Sequence, residues 1–269
     1  MTASAQPRER SYLRGIPGLR VLERNLAVYR RTWRGTLFIT FLSPILYLAA
    51  MGLGLGAFVD SQGSLLEGVP YLVFLAPGML AAQAMNTATF ESTYPVMSSI
   101  LWQKTYLGML ATPIRTRDIL VGHLLFVGLR LLLVASVFVG VMVAFGAGRL
   151  PLILLGIPAA MLTGLAFAAP ITAFAASQKN DNGFAALFRF VITPLFLFSG
   201  TFFPIDRLPE YLQPVAWLTP LFHGVELARG LSLDRLDPTA GLAHVAVLLA
   251  YAIGGAIAAD ILLRRRLAS

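Results

Sequence analysis

Residues 196–230 read FLFSGTFFPIDRLPEYLQPVAWLTPLFHGVELARG, and this stretch decides the fold. It opens as a membrane span, breaks at Ser199-Gly200, and then runs on apolar while Pro209, Pro214 and Pro220 cut it into short pieces. A full crossing needs about 20 consecutive apolar residues, and none of the pieces after Asp206 reaches that length. Backbone polar groups find no partner in lipid, so broken helices persist there only when packed in protein or lining a cavity. The stretch is therefore expected to be re-entrant.

Composition extends this reading to the whole chain. Of 269 residues, 57% are hydrophobic and 13% charged, against about 25% charged in a soluble domain. The fold class is an all-α polytopic membrane protein with six transmembrane helices, expected at 36–59, 70–90, 119–147, 151–177, 184–203 and 240–263. An even number of crossings puts both termini on one side. On that side lie sixteen of the 21 Lys and Arg residues, from Arg8 through Arg34, then Lys104, Arg115, Arg117, Lys179 and Arg189, and finally Arg264, Arg265 and Arg266. The other side carries Arg149, Arg207, Arg229 and Arg235 against seven acidic residues. By the positive-inside rule both termini are cytoplasmic. The net charge of +8 is thus a topology signal, and nucleic acid is not an expected partner. A seventh crossing would place Arg264-Arg265-Arg266 outside, which again favours re-entrant external helices before the last span.

Residues 1–34 divide from 35–269 as a cytoplasmic tail and interfacial amphipathic helix preceding the transmembrane domain. Within the tail, PGLRVLERNLAVYRRTW at 17–33 spaces Leu19, Leu22, Leu26, Tyr29 and Trp33 three or four residues apart, the pattern of a helix lying in the membrane interface. Such a helix either anchors the chain or also docks a cytoplasmic partner. No apolar leader segment precedes residue 35, so the first span is expected to direct insertion. The connection between the second and third spans is also amphipathic. Leu107, Leu110 and Ile114 form one face and Pro113 ends the helix. Exposed Tyr106, Leu107, Met109 and Leu110 would be poorly placed in water without a partner surface.

Polar groups inside spans narrow the site. Gln83, Asn86, Thr87, Phe90 and Glu91 fall at helical spacing on the second span, fit either for helix-to-helix hydrogen bonding or for lining a path. Arg130 stands in the middle of the third span with no acidic residue in the neighbouring part of that helix to pair with. An intramembrane arginine marks a functional site unless another helix or backbone carbonyls satisfy it. Gly52, Gly54 and Gly56 permit close helix approach. His123, near the cytoplasmic end, suits an interfacial role.

Several chemistries are absent. The only lysines, Lys104 and Lys179, each follow Gln, so no GxxxxGK[ST] exists. There is no Cys, no metal-ligand spacing among His123, His223 and His244, and no GxSxG elbow. No metal site, resident cofactor or catalytic residue is expected.

The combination of PILYLAAMGLGLG at 44–56, FLAPGMLAAQAMNTATFESTY at 74–94, LATPIRTRDILVG at 110–122, LTGLAFA at 162–168 and ITPLFLFSGTFFPIDRLP at 192–209 resembles the type 2 ABC exporter permeases. Within them it is most similar to the nodulation-factor export (NodJ-type) branch, related to the daunorubicin-resistance permeases. The resemblance implies a permease in the bacterial plasma membrane, surrounded by lipid, that pairs with a second copy as a homodimer. It also implies two copies of a separate P-loop ATPase, which hold the ATP and Mg. The coupling helix then maps onto Lys104, Tyr106, Leu107, Met109, Leu110 and Thr112, with Pro113, Arg115 and Arg117 in the following turn. The substrate path maps onto Gln83, Asn86, Thr87, Phe90, Arg130, Thr193, Phe196 and Ser199. An outer gate maps onto the broken segment, with Gly200, Phe203, Pro204 and Pro209. The implied substrate is amphipathic or lipid-like: a drug, glycolipid or lipo-oligosaccharide. The alternative function is a stand-alone secondary transporter or channel.

Overall fold

The computed structural model describes residues 17–61 and 66–268. The tail at 1–16, with its expected Arg-rich charge, lies outside the described residues. Among those described, the chain is helical and forms no β-sheet.

Helix α1 (Pro17–Tyr47) passes without interruption into a π-helical stretch, Leu48–Leu55, and α2 (Gly56–Ser61). The expected separate interfacial helix and the first span are thus one continuous rod. Gly35 is the weak point between them, and a helical glycine costs only about 1 kcal/mol. At its start α1 packs on α6 (Thr116–Ala144), with Gly18 and Val21 against Val121 and Gly122, while the expected face residues Leu19, Leu22, Leu26 and Tyr29 are half-buried and Trp33 is exposed. A Cβ on Gly122 would lie 2.5 Å from Val21, so its absence permits the contact.

Helix α3 (Tyr71–Ser92) is the core of the bundle, buried almost continuously from Phe74 to Ala82. A short helical connection follows, made of α4 (Tyr94–Met97), a π-turn at Ser98–Trp102 and α5 (Thr105–Leu110). After α6, a turn at Leu152–Leu155 leads into α7 (Gly156–Ser177). Then come α8 (Asn182–Leu187), a π-turn at Phe188–Ile192 and α9 (Thr193–Phe198). The broken segment holds a turn at Ile205–Arg207, α10 (Gln213–Trp217) and α11 (Pro220–Ser232), and α12 (Pro238–Ala268) closes the fold.

Among the described residues, four helical stretches are long and apolar enough to cross a membrane: Trp33–Ser61, Thr116–Ala144, Leu152–Ser177 and Pro238–Ala268. Helix α3 has 22 residues, but Gln83 and Asn86 interrupt its apolar run. The apolar stretch expected at 184–203 stops at Phe198, because Gly200 takes φ +80°, a left-handed conformation that ends a helix and suits glycine.

Small residues hold the helices together. Gly164 of α7 meets Leu131 of α6, Gly224 of α11 meets Thr163 of α7, and Gly255 of α12 meets Pro170 of α7. Lipid gives apolar side chains no reason to leave it, so close packing of this kind drives association. Gly52 and Gly56 serve similarly against Leu72 and Tyr71, while Gly54 is exposed. A second, smaller core joins Val21, Ile100, Tyr106, Ile119, Phe184 and Leu263 at the end of the bundle that holds α5.

Candidate functional site

Arg130 is only 7% exposed, and its partners come from two other helices. Its Nε donates to Glu91 Oε1 of α3 at 3.0 Å and its Nη1 to the Tyr29 hydroxyl of α1 at 2.8 Å. The guanidinium also lies 4.7 Å from the Tyr29 ring centroid. Desolvating a charge is tolerable only with this kind of pairing. The acidic partner, absent from the neighbouring turns of α6, is supplied by α3.

Two cavities meet at this pair. One, of about 650 Å³, is lined by Thr40, Gln83, Asn86, Thr87, Phe90, Val134 and Phe188. The other, of about 260 Å³, is lined by Arg24, Asn25, Ser98, Ser99, Gln103, Tyr106, His123 and Phe126 among others. Glu91 and Arg130 belong to both walls. Of the expected path residues, Gln83, Asn86, Thr87, Phe90 and Arg130 therefore gather on one cavity. Thr193, Phe196 and Ser199 do not line it. Thr193 donates to the Phe188 carbonyl at 2.9 Å, Phe196 packs between Tyr47 and Phe202, and Ser199 is buried 3.3 Å from the Thr219 hydroxyl. All three follow the π-turn, of which Phe188 lines the cavity. Reading by periodicity passed over Tyr29, Thr40 and Phe188 as lining residues, since nothing local links them to α3. Glu91 was legible, because it stands on the stripe.

A second buried arginine organises the opposite end of α3. Arg229 of α11, counted from sequence among the external charges, is 3% exposed. It donates Nη2 to the Gly200 carbonyl at 2.7 Å, Nε to the Phe74 carbonyl at 3.3 Å and Nη1 to Glu226 at 2.8 Å. Its guanidinium stands 3.8 Å from the Phe74 ring centroid. The break at Ser199-Gly200 is thus tied to both α3 and α11. Beyond it, Phe203 packs with Ile205, Leu208 and Ala216 in a small cluster of their own; Pro204 is buried and Pro209 exposed. His223 Nε2 faces the Trp217 carbonyl at 2.8 Å, so that nitrogen carries the proton. Its Nδ1 then accepts from His244 Nδ1 of α12, also at 2.8 Å.

In the α4–α6 connection, Lys104 enters α5 through a left-handed conformation (φ +51°), and the Thr112 hydroxyl donates to the Met109 carbonyl at 2.6 Å. Asp118 accepts from the Arg115 backbone N–H at 2.8 Å and caps α6. Arg117 reaches Asp260 of α12 at 3.2 Å. Tyr106, expected outside, is buried, and burial pushes its phenol up to about 12. Met109, Leu110 and Ile114 pack onto the same core, so the expected apolar face is split. Leu107 faces outward with Trp102, which the sequence reading did not select, and Thr112 and Pro113 are exposed beside them. The reason is that α5 is short and lies on a core that claims one of its sides.

Residues 19–233 match the ABC-2 type transporter family. The chain belongs to that family. Nodulation protein J of Rhizobium leguminosarum bv. viciae is 33% identical over 255 residues, covering 94% of this chain and 96% of that protein. Nodulation protein J of Sinorhizobium fredii is 32% identical over 250 residues, 93% of each chain. The inner membrane transport permease YadH of Escherichia coli is 23% identical over 239 residues, covering 84% of this chain and 88% of that protein. As an ABC-2 permease, the chain is a multi-pass membrane subunit of an ABC transporter.

The family match runs from α1 through α11 and so includes both buried arginines. In this ABC-2 permease, α12 lies beyond the matched residues yet packs along α7, and Leu263 near its end completes the smaller core.

Proposed function

We propose that this permease exports an amphipathic or lipid-like substrate, driven by a separate P-loop ATPase that binds ATP and Mg. The observation that carries the reading is the footing of α5. Its outward Leu107 is exposed, as are Trp102 just before it and Thr112 just after, while Tyr106 on its inner side sits in one core with residues of α1, α6, α8 and α12. A push on the outward edge is delivered to all of these helices at once. The same core adjoins the smaller cavity through Tyr106, so motion there reaches the Arg130–Glu91 pair.

In this reading the chain crosses the bacterial plasma membrane six times with both termini cytoplasmic. Helix α3 and the α8–α9 stretch supply the two crossings that are more polar or shorter. Two copies assemble with two ATPase subunits, and apolar side chains exposed on α9 and its π-turn, Phe190, Leu197 and Phe198, suit lipid or the second copy. The larger cavity receives substrate, and the Arg229-tied segment from Gly200 to Ser232 forms the outer gate. The amphipathic substrate class follows from the mixed lining, with Gln83, Asn86 and Thr87 beside Phe90, Val134 and Phe188.

Tagged chain purified from native membranes is expected to bring down a P-loop ATPase whose hydrolysis the permease stimulates. Absence of any such ATPase, together with ion-driven flux by the chain alone in liposomes, would replace this reading with a secondary transporter.

A further inference from the structure

The smaller cavity has a chemistry that the larger one lacks. Its wall carries two arginines, Arg24 and Arg130, and one carboxylate, Glu91, already engaged by Arg130 at 3.0 Å. Arg24 donates to the Asn25 side-chain oxygen at 3.2 Å, and none of the ion pairs among the described residues involves it. His123 is 5% exposed and its Nε2 has no hydrogen-bond partner. Leaving a buried polar atom unpaired costs about 1–3 kcal/mol, so a partner in the cavity would relieve a standing penalty. Asn25, Ser98, Ser99 and Gln103 add further donors. Ser99 gives its proton to the Pro95 carbonyl at 2.9 Å; the others remain well placed for a multivalent acceptor.

This set is donor-rich and carries an excess of positive charge, which suits a tetrahedral oxyanion and disfavours a cation. At about 260 Å³ the cavity holds a headgroup and excludes an acyl chain. The lining turns apolar at Val28, Pro95 and Phe126, and Val28 is 52% exposed, so a hydrocarbon tail has an apolar exit past α1.

We propose that this inner cavity binds the phosphate-type headgroup of an anionic amphiphile, held by Arg24 and His123, with Arg130 turning from Glu91 toward it. Because Arg130 and Glu91 also wall the larger cavity, the exchange opens a way between the two. This deepens the export reading and rests on it for the direction of passage.

The test uses the full chain in nanodiscs of neutral lipid. Dihexanoyl phosphatidic acid, dihexanoyl phosphatidylcholine and inorganic phosphate are each titrated, with binding followed by calorimetry. Phosphatidic acid is expected to bind at least tenfold more tightly than phosphatidylcholine, with inorganic phosphate competing at much higher concentration. Arg24→Gln, at the half-buried edge of the cavity, should weaken phosphatidic acid at least fivefold with an unchanged melting temperature, and His123→Asn should act in the same direction. Equal binding of the two lipids, or an unaltered Arg24→Gln, would mean a cavity that holds water only and would overturn the proposal. Inorganic phosphate binding as tightly as phosphatidic acid would overturn the amphiphile as its source. None of these measurements involves the ATPase, so loss of ATP-driven flux with this selectivity intact would count against the export reading alone.

Discussion

Arg130 and Arg229 are both buried in an apolar helical bundle, yet they are held in opposite ways. Arg229 donates to two backbone carbonyls, at Phe74 and Gly200, and to a carboxylate on its own helix. Arg130 depends on two side chains of other helices and has a cavity on either side. A backbone carbonyl cannot turn away without unfolding its helix end, whereas a carboxylate and a phenol can change rotamer. Arg229 is therefore a fastening, and Arg130 a contact built to be exchanged.

The strongest challenge to this contrast is Arg229→Ala. It strands two buried carbonyls and Glu226, and a loss of about 3–5 kcal/mol is expected, seen as a large fall in melting temperature and loss of a monodisperse peak in detergent. Adding Glu226→Gln should not recover it, because the carbonyls stay unpaired. For the inner pair, Glu91→Gln alone should cost about 3 kcal/mol by leaving Arg130 uncompensated. Here the double variant Arg130→Gln/Glu91→Gln is expected to regain most of that stability while ATP-driven transport stays at least tenfold reduced. A double-mutant cycle on melting temperature and flux measures both; recovered transport would make the pair merely structural.

Gly78→Ala probes the fastening more gently. The new Cβ would sit 3.1 Å from the Thr201 carbonyl and 3.2 Å from Arg229 Nη2, for a cost of about 1–3 kcal/mol. Leu107→Asp, on the exposed edge of α5, should change stability by less than about 0.5 kcal/mol yet uncouple ATP hydrolysis from flux; normal coupling would count against the assignment of α5. The smallest effect concerns pH. Burial holds the His223 imidazole below its ordinary 6.5, so its contribution to the α11–α12 contact is complete above pH 6.5 and is lost as pH falls through the depressed value. Melting temperature followed against pH should show this loss in the parent and not in His223→Phe.

Much of this arrangement could be read along the chain. The stripe from Gln83 to Glu91 was visible by helical spacing, and four of its five residues were named as lining; the break at Ser199-Gly200 was visible from residue type. Arg130 was recognisable as costly, but its partners were not, since Glu91 lies 39 residues away and Tyr29 101 away. Tyr106 was misplaced because amphipathic spacing on a six-residue helix cannot say which side meets the core. Arg229 was counted as one more external charge, since the chain offers no sign that α11 inserts between α3 and α7.

The all-helical membrane character, the expected orientation and the interrupted segment after Phe196 follow from residue type and local order, because solvent preference, charge placement and backbone freedom act on each residue where it stands. Which side chains face one another follows from how each helix is rotated and how closely it approaches its neighbours. Gly164, Gly224 and Gly255 set those approaches against Leu131, Thr163 and Pro170, and they bring Arg130 to Glu91 and Arg229 to Phe74. Such contacts join residues far apart in the chain, so they exist only once the helices have packed.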